Sequence, residues 1–184
     1  MMKSIVLIAL AIASSTAALA QVSAVPLTAA QVFDNRISSA EKEIVSAAEA
    51  MPQEKYAFAP NNGEFKGVRT FAEQVKHLAA ANYQLGARIL GEEPPHNERN
   101  ETAPDSIRTK AEIVEYLRAS FVYLHKAAAT FNDNNLVVPI PGTTGSWQRT
   151  RLGLSIDAIA HAYDHYGQMV EYLRMNGIVP PASR

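Results

Sequence analysis

Five histidines stand in a chain of 184 residues, at positions 77, 96, 125, 161 and 165, and His161 and His165 are separated by four. On a helix that spacing puts both imidazoles on one face, about 5–6 Å apart at their β-carbons, close enough to share one ion. A zinc-like ion takes ring nitrogens at about 2.0–2.1 Å, and a helix presents two of them with little further ordering. The plainer reading of such a pair is a polar helix face, and the pair leaves a third ligand to be found. His77 and His125 both lie in helical segments and either can supply it. His125 falls near the end of its helix, where an imidazolium suits the helix dipole, and His96, among Pro95, Asn97 and Glu98, reads as a water-facing loop residue. Cysteine is absent, which removes thiolate nucleophiles, Cys-based zinc sites and disulfides.

The elements that must position these rings are helices. Thr28 with Gln31, Thr70 with Glu73 and Thr109 with Glu112 have the spacing of capping boxes, in which each threonine and its partner satisfy free backbone N–H groups at a helix start. The first helix then runs to about Met51, before Pro52; the second spans 71–90, with Gly91 as its stop; the third spans about 109–131. The fourth starts between Ser146 and Arg151 and continues to Asn176, ahead of Gly177 and Pro180-Pro181. Connections of nearly twenty residues join them, long for an antiparallel bundle, so at least one crossover is expected, and residues 137–144 read as a short extended piece. The fold class is all-α, a four-helix bundle. On the fourth helix the main apolar stripe is Leu152, Ile156, Ile159, Tyr163, Tyr166, Val170 and Leu173, roughly opposite the two histidines. Leu154, Ala158, Gln168 and Tyr172 share the histidine face, and Gln74, Ala81 and Gln84 accompany His77, which predicts a small polar pocket between the second and fourth helices.

Length and composition set the remaining bounds. The chain suits one domain. Lys3, the apolar run 5–12 and Ala18-Leu19-Ala20 have the pattern of a signal peptide, predicting cleavage after Ala20 and a mature domain over 21–184. The apolar run is too short to cross a bilayer, so no membrane contact is expected after cleavage and the location is periplasmic or secreted. Losing Lys3, the one charge of that segment, takes the net charge from −1 to −2, a balance that gives nucleic acid no hold.

The run His161-Ala-Tyr-Asp-His165-Tyr-Gly-Gln168, continued by Tyr172-Leu-Arg-Met-Asn-Gly-Ile-Val-Pro-Pro181, resembles the C-terminal signature of DinB-like proteins, and Thr70-Phe-Ala-Glu-Gln-Val-Lys-His77 resembles that family's second-helix motif. The resemblance covers about residues 31–181. It implies an up-down-down-up four-helix bundle and a divalent metal ion, zinc or nickel, held by His77, His161 and His165. Gln168, one turn beyond His165, is then the neighbour expected to support the ligands.

A three-histidine site with an open position can activate a water or bind a thiolate or carbonyl, so hydrolysis and thiol transfer are both available. Characterised relatives implied by the resemblance are metal-dependent transferases and isomerases that use low-molecular-weight thiols such as bacillithiol or mycothiol. The expected export argues against that carry-over, because such thiols are kept inside cells. The alternative is a metal- or small-ligand-binding module without turnover. No catalytic residue is named by the sequence; Glu73 and Asp157 are the acids near enough to inspect. The expected partner is a small molecule, and apolar stripes on the first and third helices are compatible with a homodimer. Trp147, ahead of the fourth helix, reads as a cap on the bundle end.

Overall fold

The computed structural model describes residues 25–60, 67–141 and 149–184. The segment read as a signal peptide, Trp147 and part of the expected extended piece lie outside the described residues. Among the described residues four α-helices form: α1 (Ala29–Ala50), α2 (Phe71–Leu90), α3 (Lys110–Ala128) and α4 (Arg151–Met175). All three expected capping boxes are made, at Thr28, Thr70 and Thr109, and Gly91 takes the left-handed conformation (φ +76°) that stops α2. Thr150 caps α4 by accepting from the Gly153 N–H. A cap of this kind contributes about 1 kcal/mol. α3 ends earlier than expected, because residues 129–131 turn back and Phe131 stacks on Phe33 with ring centroids 5.3 Å apart.

Cross-helix contacts fix the topology. The start of α3 meets the end of α1, where Lys110 Nζ donates to the Glu49 and Met51 carbonyls at 2.7 Å, and its end meets the start of α1, where His125 meets Asp34 at 2.6 Å. α1 and α3 are therefore antiparallel. Gln74 pairs with Gln168 on α4 and His77 lies against His161, so α2 and α4 are antiparallel too. Asn82 bonds Ser120, and Gly86 abuts Tyr123, so α2 and α3 run parallel. The order is up-down-down-up. Parallel neighbours joined in sequence need a connection that returns the length of a helix, about 30 Å for twenty residues. Residues 91–109 make that return alongside α2.

The core is built from Phe71, Phe121, Ile37, Ile44, Leu78, Leu117, Leu154 and Met169, all fully buried. On α4 the expected stripe is not the buried face. Leu152, Ile156 and Tyr163 are exposed, Ile156 by 61%, and Leu173 is the one stripe member buried. The inward face is Leu154, Ser155, Ala158, Ala162, His165, Met169 and Tyr172. The physical reason is closeness: small residues let α4 approach α2, and bulk on the other side carries no information about which neighbour lies there.

Two other histidines have partners that the sequence does not name. His96 faces water as expected, its side chain 50% exposed, and its Nδ1 also bonds the Glu98 carboxylate at 2.8 Å while its ring lies against Tyr83. His125 bridges α3 to α1 through Asp34 and Glu41. Among the described residues, an isolated antiparallel bridge between Pro139 and Thr150 is what stands for the extended piece.

Candidate metal centre

The antiparallel pairing of α2 and α4 brings His77, His161 and His165 together. Ring centroids are 4.4 Å apart for His161 and His165, 4.7 Å for His77 and His165, and 5.2 Å for His77 and His161. One ring nitrogen from each lies within 4.8 Å of the other two, the spacing of a group that can hold a metal ion. His165 is buried, and the side chain of His77 is 12% exposed.

Their hydrogen bonds orient the rings. Gln74 Nε2 donates to Gln168 Oε1 at 2.6 Å, which turns Gln74 Oε1 toward His165 Nδ1 at 2.7 Å and makes that nitrogen an N–H donor. Gln168 is anchored in turn, donating to Asp164 at 3.0 Å. His77 Nδ1 donates to the Glu101 carbonyl at 3.2 Å. In both rings Nε2 is left with its lone pair, and His165 Nε2 lies 3.0 Å from His161 Nε2. Such partners raise ligand basicity and fix ring orientation at metal sites. The expected supporter Gln168 thus acts one bond further out, and Gln74 is the direct partner.

Electrostatics favour the ligating form. Burial pushes the pKa of all three histidines down. For His165 burial and the neighbouring His161 and His77 take it to about 4. For His77 the Arg69 guanidinium adds to burial. Three neutral imidazoles, two of them with the Nε2 lone pair free and the third, His161, with a buried Nδ1 that has no partner among the described residues, are a donor set that zinc or nickel accepts, so the residues present fit such an ion.

A cleft of about 440 Å³ opens beside His77, lined among others by Arg69, Glu73, Lys76, Glu101 and Asp105. Glu73 is engaged in its capping box, with Thr70 N–H at 2.7 Å, and that bond holds its carboxyl below the usual range. Asp157 pairs with Arg149 at 2.7 Å and does not line this cleft. The acid at the centre is Glu101, whose Oε2 is 3.4 Å from His77 Nε2. It arrives on the crossover connection, where no local pattern marks it. Its φ of +56°, with Asn97 at +60° and Asn100 at +61°, places three non-glycine residues in the left-handed region within five positions. Such strain costs of order 1–3 kcal/mol per residue and persists where surrounding contacts enforce it. Here Glu98, fully buried, accepts from the His96 N–H at 2.9 Å, its ring N–H at 2.8 Å and the Tyr116 hydroxyl at 2.9 Å.

Among curated protein sequences none matches this chain. A solved structure described as the conserved protein of locus from Enterococcus faecalis superimposes with a TM-score of 0.63 at 14% identity, covering 81% of this chain and 97% of that one. That likeness shows the fold. The family model described as DinB superfamily matches residues 36–169, a span that takes in most of α1, all of α2 and α3, and the paired histidines of α4. The chain belongs to the DinB superfamily.

Proposed function

We propose that the protein binds one divalent ion, zinc or nickel, through His77, His161 and His165 and uses it in a transferase or hydrolase reaction on a small polar molecule that enters beside His77. The observation that carries this reading is the cluster of three neutral imidazoles, two of them oriented by hydrogen bonds, whose His77 member lines a cleft of about 440 Å³ that also holds titratable groups. When bound, such an ion supplies a Lewis acid at the edge of that cleft. The chain's own residues do the rest: Gln74 and the Glu101 carbonyl keep the ring protons on Nδ1, and Arg69 and Lys76 offer positive charge to a polar substrate group. Residues 1–20 support export.

The second reading is a helical module that binds without turnover. It is favoured by an apolar groove of about 520 Å³ between α1 and α4, lined among others by Val32, Phe33, Leu136, Leu152 and Ile156. One experiment addresses the centre: metal analysis of protein recovered from the periplasmic fraction, with its N-terminus sequenced, purified without chelators or a histidine tag. The expected result is a chain starting at Gln21 with one zinc or nickel bound, and no metal in the His161→Ala, His165→Ala variant. Wild-type protein that neither carries nor takes up a divalent ion overturns the proposal. Metal-loaded protein that turns over no ester, amide or thiol acceptor moves the balance to the binding module.

A further inference from the structure

We propose that the carboxylate of Glu101 is a fourth ligand at this centre, so that the resting ion is held by three imidazoles and one carboxylate and a substrate would join as a fifth ligand, an expansion zinc allows. The inference rests on the three-histidine reading and adds one residue to it. The three ring nitrogens lie within 4.8 Å of one another and Glu101 is not in that group; its carboxylate contacts His77 Nε2 alone, at 3.4 Å, and ligation requires its side chain to turn inward from there. Glu101 touches both nitrogens of His77: the carbonyl takes the Nδ1 proton at 3.2 Å, and Oε2 lies 3.4 Å from Nε2. With the proton on Nδ1, the Nε2 lone pair and a carboxylate oxygen stand side by side. Two electron-rich atoms at that separation repel each other unless a cation is shared between them. In a tetrahedral site with bonds of about 2.0–2.2 Å, neighbouring ligand atoms are about 3.3–3.6 Å apart. The 3.4 Å contact has the length of such an edge, and the 3.0 Å approach of His161 to His165 is slightly shorter than one.

The backbone supports the same assignment. Asparagine tolerates the left-handed region through its short side chain, but glutamate has no such preference, and glycine would take φ +56° without strain. A glutamate at that position therefore has a reason that lies in its carboxylate. The connection is also fastened immediately before it. Buried Glu98 ties the loop to Tyr116 of α3, Gln84 of α2 donates to the Glu98 carbonyl at 3.5 Å, and the Glu101 N–H returns to that same carbonyl at 3.1 Å. The result is a loop residue held against a helix side chain that its own sequence neighbourhood does not predict.

The test uses the full mature chain as wild type, Glu101→Gln and Glu101→Gly. Zinc affinity is measured by competition with a chromogenic chelator, cobalt(II) binding by visible absorption, and folding by thermal melting without metal. The expected outcome is zinc affinity at least about tenfold weaker in both variants, with a weakened or shifted cobalt band as the ligand set changes. Glu101→Gly should melt above wild type in the absence of metal, because its strain is relieved, which separates lost ligation from a folding defect. Wild-type affinity and an unchanged cobalt spectrum in Glu101→Gln overturn the fourth ligand and leave the three-histidine centre standing. Failure of the wild type itself to bind zinc or cobalt removes the centre.

Discussion

His165 sits at the junction of two effects that a metal ion would reconcile. Its burial and its two imidazole neighbours lower its pKa to about 4, while Gln74 holds its ring with Nε2 facing His161. A free imidazole titrates near 6.5, so between about pH 6.5 and 4 the unfolded chain binds more protons than the folded one, and stability rises with pH across that window. His77 and His161 shift the same way. The metal-free protein is therefore expected to lose stability as pH falls from about 6.5 toward 4, with the contribution fully present above that window. Urea midpoints at several pH values check this, and the His161→Ala, His165→Ala variant should show a flatter profile. Equal slopes in the two proteins would place the pH dependence elsewhere.

At the scale of elements, the parallel contact of α2 with α3 is the feature from which the crossover follows. At Gly86 the two helices approach tightly: a β-carbon there would lie 2.7 Å from Tyr123 Cδ1. That ring is held by its hydroxyl on Glu92 at 2.6 Å, so it does not swing aside freely. In an exposed helix, Gly→Ala gains about 1 kcal/mol; at Gly86 the overlap costs about 1–3 kcal/mol and reverses the sign. Gly86→Ala is expected to lower the melting temperature, and the same substitution in a Tyr123→Ala background to be neutral or stabilising. Thermal melts of the four proteins form the cycle that measures the coupling.

For the whole molecule, the back of the bundle is the surface to explain. Val32, Leu152 and Ile156 line a groove between α1 and α4 and stay exposed, by 48%, 39% and 61%. An apolar groove between two adjacent helices is a shape that a second copy can match through a two-fold axis. His77 opens on a separate cleft whose lining shares no residue with this groove, so pairing through it leaves the candidate site accessible. If a second copy pairs through this groove, Ile156 is buried in the interface. Light scattering should then return a dimer for the mature chain and a monomer for Ile156→Glu with unchanged helicity; a monomeric wild type overturns the pairing.

The sequence by itself determined what is local. Thr28, Thr70 and Thr109 with their partners three residues on mark the helix starts, Gly91 marks a stop, and the four-residue step from His161 to His165 puts two rings on one face, because capping and helical periodicity act within a few residues. The family motifs added His77 and the order of the helices. Only the tertiary structure decided which face of α4 turns inward, since a stripe of bulk is not a statement about neighbours, and Ala158 and Ala162 allow a closer approach than Ile156. It also decided that Gln74 supports His165, that His96 and His125 have carboxylate partners, and that Glu101 stands beside His77. Apart from His96 and Glu98, which are two residues apart on the crossover itself, each of these contacts joins residues set on different elements by helix packing and by a crossover that must run back along α2, and no periodicity in the chain encodes where that path passes.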